Sequence, residues 1–316
     1  RFFLPSFKIS KLDINDSLAN ILKNAIISQH QNPKMQELYS ALYLATPMSK
    51  ELRQNVTHWG IAHIIAISGF HLSVIFIFVF FVARFTIAPL QDRYFPYLNL
   101  RFYISLILFI LMGFYLYILD FTPSFLRSYI MGVVGFLLLS RGLKVFSFGN
   151  LVLAILIGLA FSPQLLFSIG FYFSCLGVYF IFLYIYHFGN RSDLSSLKRI
   201  LMHTLILEIF VFLAMNIPVY YFFPIASWYQ LSVIPLSYVF IIFYPVSLFL
   251  HLFGIGGLFD DFMIRFIEFA PAQGKANLEL WQFIGYNIIA LLAIYKKWIM
   301  LLLALLGLFV YIFALI

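Results

Sequence analysis

Residues 63–72 read HIIAISGFHL, and residues 74–82 continue VIFIFVFFV. Six of the first ten are strongly apolar, and the nine that follow carry no polar side chain. The stretch is therefore oily enough and long enough to enter hydrocarbon, which an α-helix crosses in about 20 residues. Its beginning nevertheless holds His63, Ser68, Gly69 and His71. Polar groups at the mouth of such a segment need partners or a wetted path, because lipid offers them nothing. On a continuous helix His63, Ile67 and His71 recur every four residues and Ser68 stands three before His71, so the spacing predicts a polar stripe along one side. Gly69 would permit close backbone approach or a local break.

The rest of the chain is of the same kind. Of 316 residues 63% are hydrophobic and 10% are charged, and mean hydropathy is +0.99. Such a composition cannot clothe a water-exposed surface, so an all-α polytopic membrane protein is predicted. Apolar runs at 62–84, 102–119, 125–140, 146–162, 165–187, 200–223, 228–252, 281–295 and 298–316 give eight to nine segments. Residues 1–57 differ, with Lys8, Lys11, Lys23, Lys34, Lys50 and Arg53 among polar clusters and helical periodicities over 17–28, 34–45 and 50–57. They form an amphipathic, membrane-flanking region, and 58–316 form the transmembrane domain. The opening Arg1-Phe2-Phe3, with no methionine and no cleavable-signal pattern, suggests a start partway through a longer product. Cys175 is the single cysteine, which leaves no intrachain disulfide.

A net charge of +8 in a soluble protein would suggest nucleic acid, whereas in a membrane protein it first reflects cytoplasmic loops. Arg84, Arg93, Arg101, Arg141, Lys144, Arg191, Lys198 and Arg199 fall in alternate connections, and the connections opposite them, 119–124, 162–164 and 223–227, carry no basic residue. That places the N-terminal region outside the cytoplasm. Simple alternation then fails near the end. It puts Asp260, Asp261, Glu268 and Glu279 inside and Lys296-Lys297 outside, both against the rule. The two faults vanish together if 228–252, which contains Pro235 and Pro245, is a re-entrant or broken helix that enters and leaves on one face; a single proline-kinked helix is the alternative.

Ionisable residues inside apolar runs each need a reason, since one costs about 2.5–3.5 kcal/mol at mid-depth. Arg127, in TPSFLRSYIMG, and Glu208, in HTLILEIFVFLAMN, are two. Asp120 is seven residues before Arg127, but a helix start at Pro123 argues against their pairing, so Arg127 would either snorkel or pair with a distant carboxylate such as Glu208, or else line an aqueous path for an anion. The His63–His71 stretch lacks zinc-site spacing and any acidic supplement. It also lacks a carboxylate to orient a histidine as base for Ser68, so no catalytic role is assigned. GFHLS at 69–73 and GFYFS at 170–174 share Gly-Phe-x-x-Ser, by chance or as traces of two membrane repeats. The 40 Phe, 20 Tyr and 4 Trp are lipid-facing filler and interfacial belts before they are base-stacking platforms.

Residues 49–75, SKELRQNVTHWGIAHIIAISGFHLSVI, resemble the signature of the ComEC-type competence channel family, an ELR segment followed by G-x-x-H-x-x-A-I-S-G-x-H. The match runs through Glu51-Leu52-Arg53, Gly60, His63, Ala66, Ile67, Ser68, Gly69 and His71. Pro123-Ser124 with Arg127, Asn150 leading to Pro163, and Gly170-Phe171 with Ser174 keep the family's order. SWYQLSVIP at 227–235 resembles a later element, with Gln230 where the family favours Asn. The resemblance implies a multi-pass protein of the bacterial cytoplasmic membrane that conducts single-stranded DNA inward during natural transformation. It implies no enzymatic activity and no cofactor or metal for this chain, since no HxHxDH run is present. Nothing resembles a GxxxxGK[ST] loop, so traction would come from a cytoplasmic motor helicase, and an external DNA-receptor protein would deliver the strand. The residues expected to line or shape the path are His63, Ser68, Gly69, His71, Ser124, Arg127, Gly170 and Ser174. Arg84, Arg141, Lys144, Lys198 and Arg199 would form a basic cytoplasmic mouth. The competing expectation is a secondary transporter of a small solute with His71, Arg127 and Glu208 as a proton relay, and an intramembrane hydrolase centred on Ser68 and His71 comes third.

Overall fold

In hydrocarbon every backbone N–H and C=O must be satisfied within the chain, and apolar runs of this length satisfy them as helices. The computed structural model describes residues 18–95, 97–142, 145, 147–189, 197–269 and 274–315. Its polar first part is α1 (Leu18–Ile27), α2 (Pro33–Leu44) and α3 (Lys50–His58), close to the periodicities in the sequence. Asn32 caps α2 by accepting from the Lys34 amide, with Pro33 in the first turn, and Ser49 caps α3 by accepting from the Leu52 amide. There follow α4 (Ala62–Ile65), α5 (Gly69–Tyr94), α6 (Leu100–Ile118), α7 (Pro123–Ser140), α8 (Phe148–Phe161), α9 (Ile169–Phe188), α10 (Leu197–Phe222), α11 (Val233–Leu252), α12 (Asp260–Glu268), α13 (Leu280–Leu292) and α14 (Lys297–Leu315).

Among the described residues seven helices are long and apolar enough to cross a membrane. Each of the nine apolar runs is represented by a helix. Those at 146–162 and 281–295 are cut to 14 and 13 residues, about 20 Å each at 1.5 Å per residue. The first run is shortened as well. Its helix begins at Gly69 rather than near 62.

The stretch 228–252 resolves the parity of the chain in a way its prolines alone did not indicate. It opens with a 3₁₀ turn at Trp228–Ser232 and continues as one unbroken 20-residue helix, α11. Pro235 sits in the first turn of α11, where a missing N–H leaves no hydrogen bond unmade, and Pro245 lies within it. The stretch therefore does not turn back inside itself. The return comes later, through a 3₁₀ turn at Gly256–Phe259 and α12. Ala226 and Gly274 then pair antiparallel through two backbone hydrogen bonds of 3.0 and 2.8 Å. The excursion between them starts and ends at one point.

The last two crossing helices follow from that. Gly274 lies against the Ala314 carbonyl at the end of α14. At the other end of the bundle the Lys297 ammonium stands over the Phe188 ring at 4.1 Å, and His187 lies 2.8 Å from the Ala293 carbonyl. Lys296-Lys297 thus shares an end with the terminus of α9, while the acidic residues of α12 join the N-terminal helices at the opposite one. There Lys34 reaches Glu51 and Glu268 at 3.0 and 2.8 Å; the hydrogen bonds it donates to Glu268 and then to Glu51 hold its ammonium above the usual lysine range.

Two cores are relevant to function. α2 is covered almost all round, with Met35, Leu38, Tyr39, Ala41, Leu42 and Tyr43 buried against α11 and α12. α10 and α14 pack so closely that a Cβ on Gly307 would lie 1.8 Å from the Leu213 carbonyl oxygen. Tyr286 of α13 donates to the next carbonyl, Ala214, at 2.7 Å. Backbone cannot yield as a side chain tip can. Gly307→Val is therefore expected to cost at least the 1–3 kcal/mol typical of overpacking, about 3 kcal/mol here, seen as a lowered Tm and loss of monodisperse protein in detergent. Gly285→Ala, which meets no atom within 4 Å, should leave both unchanged.

A buried cation where three helices begin

The polar stripe expected on one helix is not formed, because residues 59–68 do not make a continuous helix. Gly60 takes a left-handed φ of +69°, pressed to the Gln230 backbone where a Cβ would sit 3.0 Å from its carbonyl. α4 is a single turn, and Ala66 and Ser68 are extended. His63 falls on that turn, exposed, with Nδ1 3.1 Å from the Gly60 carbonyl. Its ring bonds to Gly60, whereas Ser68 and His71 bond to one another.

Ser68 and His71 instead form a reciprocal cap on α5. The Ser68 hydroxyl accepts from the Phe70 amide at 3.3 Å, and the Ser68 amide donates to His71 Nδ1 at 3.2 Å, so histidine takes the place usually held by Glu or Gln. The His71 side chain is fully buried. The rings of Phe240 and Tyr244 from α11 meet it edge-on at 5.4 and 4.7 Å.

The start of α7 closes over this cap. Pro123 opens the helix as its fixed φ allows, and the next residue, Ser124, donates to the Ile67 carbonyl at 2.6 Å. One turn on, Arg127 is buried at 5% exposure. Its Nε donates to Ser174 Oγ of α9 at 2.6 Å, Nη2 to Ser128 Oγ at 2.9 Å and Nη1 to Met131 Sδ at 2.9 Å. Ser128 passes its own proton to the Ser124 carbonyl at 2.8 Å. Gly69 makes the approach possible: a Cβ there would lie 2.7 Å from Ser128 Oγ and 3.7 Å from Arg127 Nη2. Six expected residues, Ser68, Gly69, His71, Ser124, Arg127 and Ser174, are thereby gathered at the starts of α5, α7 and α9.

Every acceptor on this guanidinium is neutral. The ion pairs His30–Asp260, Lys34–Glu51 and Lys34–Glu268 do not involve it. Neither carboxylate suggested by the sequence reaches Arg127. Asp120 is exposed in a turn with left-handed φ of 51°, and Glu208 accepts from Ser237 of α11 at 3.5 Å. A buried guanidinium without a counter-charge is unfavourable by several kcal/mol, and its planar fork suits phosphate.

Gly170 does not join the group. It lies in the capped first turn of α9, where Ser168 accepts from the Phe171 amide and is the nearest neighbour to a would-be Cβ, at 3.8 Å. The likeness of 69–73 to 170–174 is thus one of helix starts. Arg84, Arg141, Lys198 and Arg199 are exposed, away from the cluster; Lys144 lies outside the described residues. Ser128 and Met131 were missed. Their positions one and four after Arg127 were the available signal. Gln230 donates to Ile225 O at 2.9 Å and to Thr57 O at 3.3 Å, and accepts from Tyr220 at 2.8 Å. It ties the start of α11 to α3, as any side-chain amide of sufficient reach would.

The chain was compared with known families, curated proteins and solved structures. The model of a family described as Competence protein matches residues 45–316. A curated relative, the uncharacterized protein MG316 homolog of Mycoplasma pneumoniae, is 29% identical over 254 residues, 73% of this chain and 61% of the relative. The chain thus spans about three-fifths of that relative's length. No solved structure matches. The family match covers most of the chain, and includes the capped start of α5 and the Arg127 cluster: the protein belongs to the Competence protein family.

Proposed function

We propose that this protein is a conduit for single-stranded DNA through the bacterial cytoplasmic membrane in natural transformation, without chemistry of its own. The observation that supports this most is Arg127, a buried guanidinium held only by neutral groups at the junction of α5, α7 and α9. A strand with one charge per nucleotide must cross about 30 Å of hydrocarbon, and its phosphates need fixed donors on the way. Arg127, Ser174, Ser128 and the Ser68–His71 cap offer such donors at one end. The exposed Arg84, Arg141, Lys198 and Arg199 would draw the strand onward.

The described conformation is closed at this point, since Arg127 and His71 are 5% and 0% exposed. Passage therefore requires the starts of α5, α7 and α9 to part, with phosphate taking over the hydrogen bonds of Arg127. Traction is assigned to a cytoplasmic motor helicase and delivery to an external DNA receptor. A solute transporter using His71, Arg127 and Glu208 is less well supported, because the partners of Arg127 and of Glu208 have no residue in common.

Arg127→Ala should lower uptake of labelled DNA into the cytosol by at least about tenfold, the lower limit for losing a charged hydrogen bond, with membrane insertion intact. Arg127→Lys should retain part of it. Parental uptake in a stably inserted Arg127→Ala protein would remove Arg127 from the path. Gly69→Ala forces Ser128 aside and should reduce uptake, and Gly69→Ala combined with Ser128→Gly should recover part of the loss, since it relieves the clash but removes the Ser128 hydroxyl, measured as transformants per cell.

A further inference from the structure

A second polar cluster lies outside the one described above. His30, in the turn after α1, faces Asp260 at the start of α12 with Nδ1 2.9 and 3.0 Å from the two carboxylate oxygens. Its Nε2 lies 3.0 Å from Nε2 of His251, in the last turn of α11. His251 Nδ1 lies 2.7 Å from the Ser247 carbonyl. The two histidines are 3% and 8% exposed, and the Asp260 side chain is 15% exposed. The three contacts form one line from carboxylate to carbonyl.

Counting protons along this line fixes its charge whatever the tautomers. A carbonyl cannot donate, so His251 Nδ1 carries a proton. A neutral His251 then presents a bare Nε2, which repels a second bare nitrogen at 3.0 Å unless His30 Nε2 carries a proton. The contact between His30 Nδ1 and Asp260 needs one more, on either atom. Three contacts require three protons, whereas an ionised Asp260 with two neutral histidines supplies two. We infer that the His30–His251–Asp260 line binds one additional proton, and that this proton clamps the α1–α2 turn to the returning end of α11. With it the cluster is neutral overall, which suits its burial.

The surroundings fit a proton rather than a larger cation. A Cβ on Gly256 would lie 2.7 Å from His251 Nε2 and from Gln29 Oε1, so backbone closes the site on that side, and among the described residues no group of three or more His, Cys, Asp or Glu is arranged to hold a metal ion. From α2 the site meets the Tyr39 ring, stacked on His30 at 4.5 Å, and the Tyr43 ring, edge-on to His251 at 5.0 Å. Burial, and then the Asp260 carboxylate, push the Tyr39 phenol up, and burial does the same for Tyr43, so neither supplies charge. Gln29 donates to the His251 carbonyl at 3.0 Å and accepts from the Gly256 amide at 2.9 Å, and so closes the clamp on its other side.

Opened, the two histidines hold no proton above the ordinary histidine range and two below it, so a clamp that holds one is most favoured near that range, and on its alkaline side the contribution is lost by up to about tenfold per pH unit. The test is amide hydrogen exchange of residues 28–32 and 253–260 in the full chain in lipid nanodiscs from about pH 7 to 9, above the ordinary histidine range, corrected for intrinsic exchange. Protection should fall with that slope in the parent. Asp260→Asn donates to His30 Nδ1 without an extra proton, and should keep the protection while flattening its pH dependence. A flat parental profile, or an unchanged slope in Asp260→Asn, would overturn the inference. So would loss of protection on adding EDTA, which would indicate a metal ion in place of the proton. Should Asp260→Asn lose protection at every pH, nitrogen chemical shifts of the parent's histidines decide: three protons on the line support the clamp and two refute it.

Discussion

A positive charge buried without a negative one is the condition on which the first half of this molecule is built. Arg127 is tolerable because Ser174, Ser128 and Met131 surround it, and they surround it because Gly69 lets α5 come within reach of α7. Helix starts rather than helix middles supply the polar atoms, since the first turn is where backbone N–H groups lack intrahelical partners and side-chain caps gather. The cluster is thus a by-product of three helices beginning together, α5 and α9 capped by serines and α7 opened by Pro123, with one guanidinium placed among them.

The second half is governed by sidedness. Ala226 and Gly274 join the ends of a long excursion, so an apolar 20-residue helix, α11, does not change the face on which the following residues lie. The acidic face of α12 can then meet Lys34, and the Lys296-Lys297 pair can stand beside the end of α9. Two charge anomalies in the sequence share this single cause.

The helices were legible because lipid leaves apolar runs one option, and their starts were legible where Asn32, Ser49 or Pro123 marked them. The interruption before Gly69 was harder to read. A helical spacing of His63, Ile67 and His71 exists in the sequence, but Gly60 in a left-handed turn and an extended Ser68 break it, and only the fit of Gly60 to Gln230 shows why. The residues of the Arg127 site could be named one by one, yet not their mutual contacts, which join α7 to Ser174 47 positions away. The His30–His251 contact, across 221 positions, left no local pattern at all: each histidine alone looks like an isolated polar residue at the edge of an apolar stretch.

The Ala226–Gly274 stitch bears on how the protein is made. A ribosome delivers α11 to the insertion machinery before the segment that brings the chain back, and a 20-residue apolar stretch presented alone is handled as a crossing. The orientation of α13 and α14 therefore does not follow from α11 alone; it also depends on the return through α12 to Gly274 and on the paired lysines before α14.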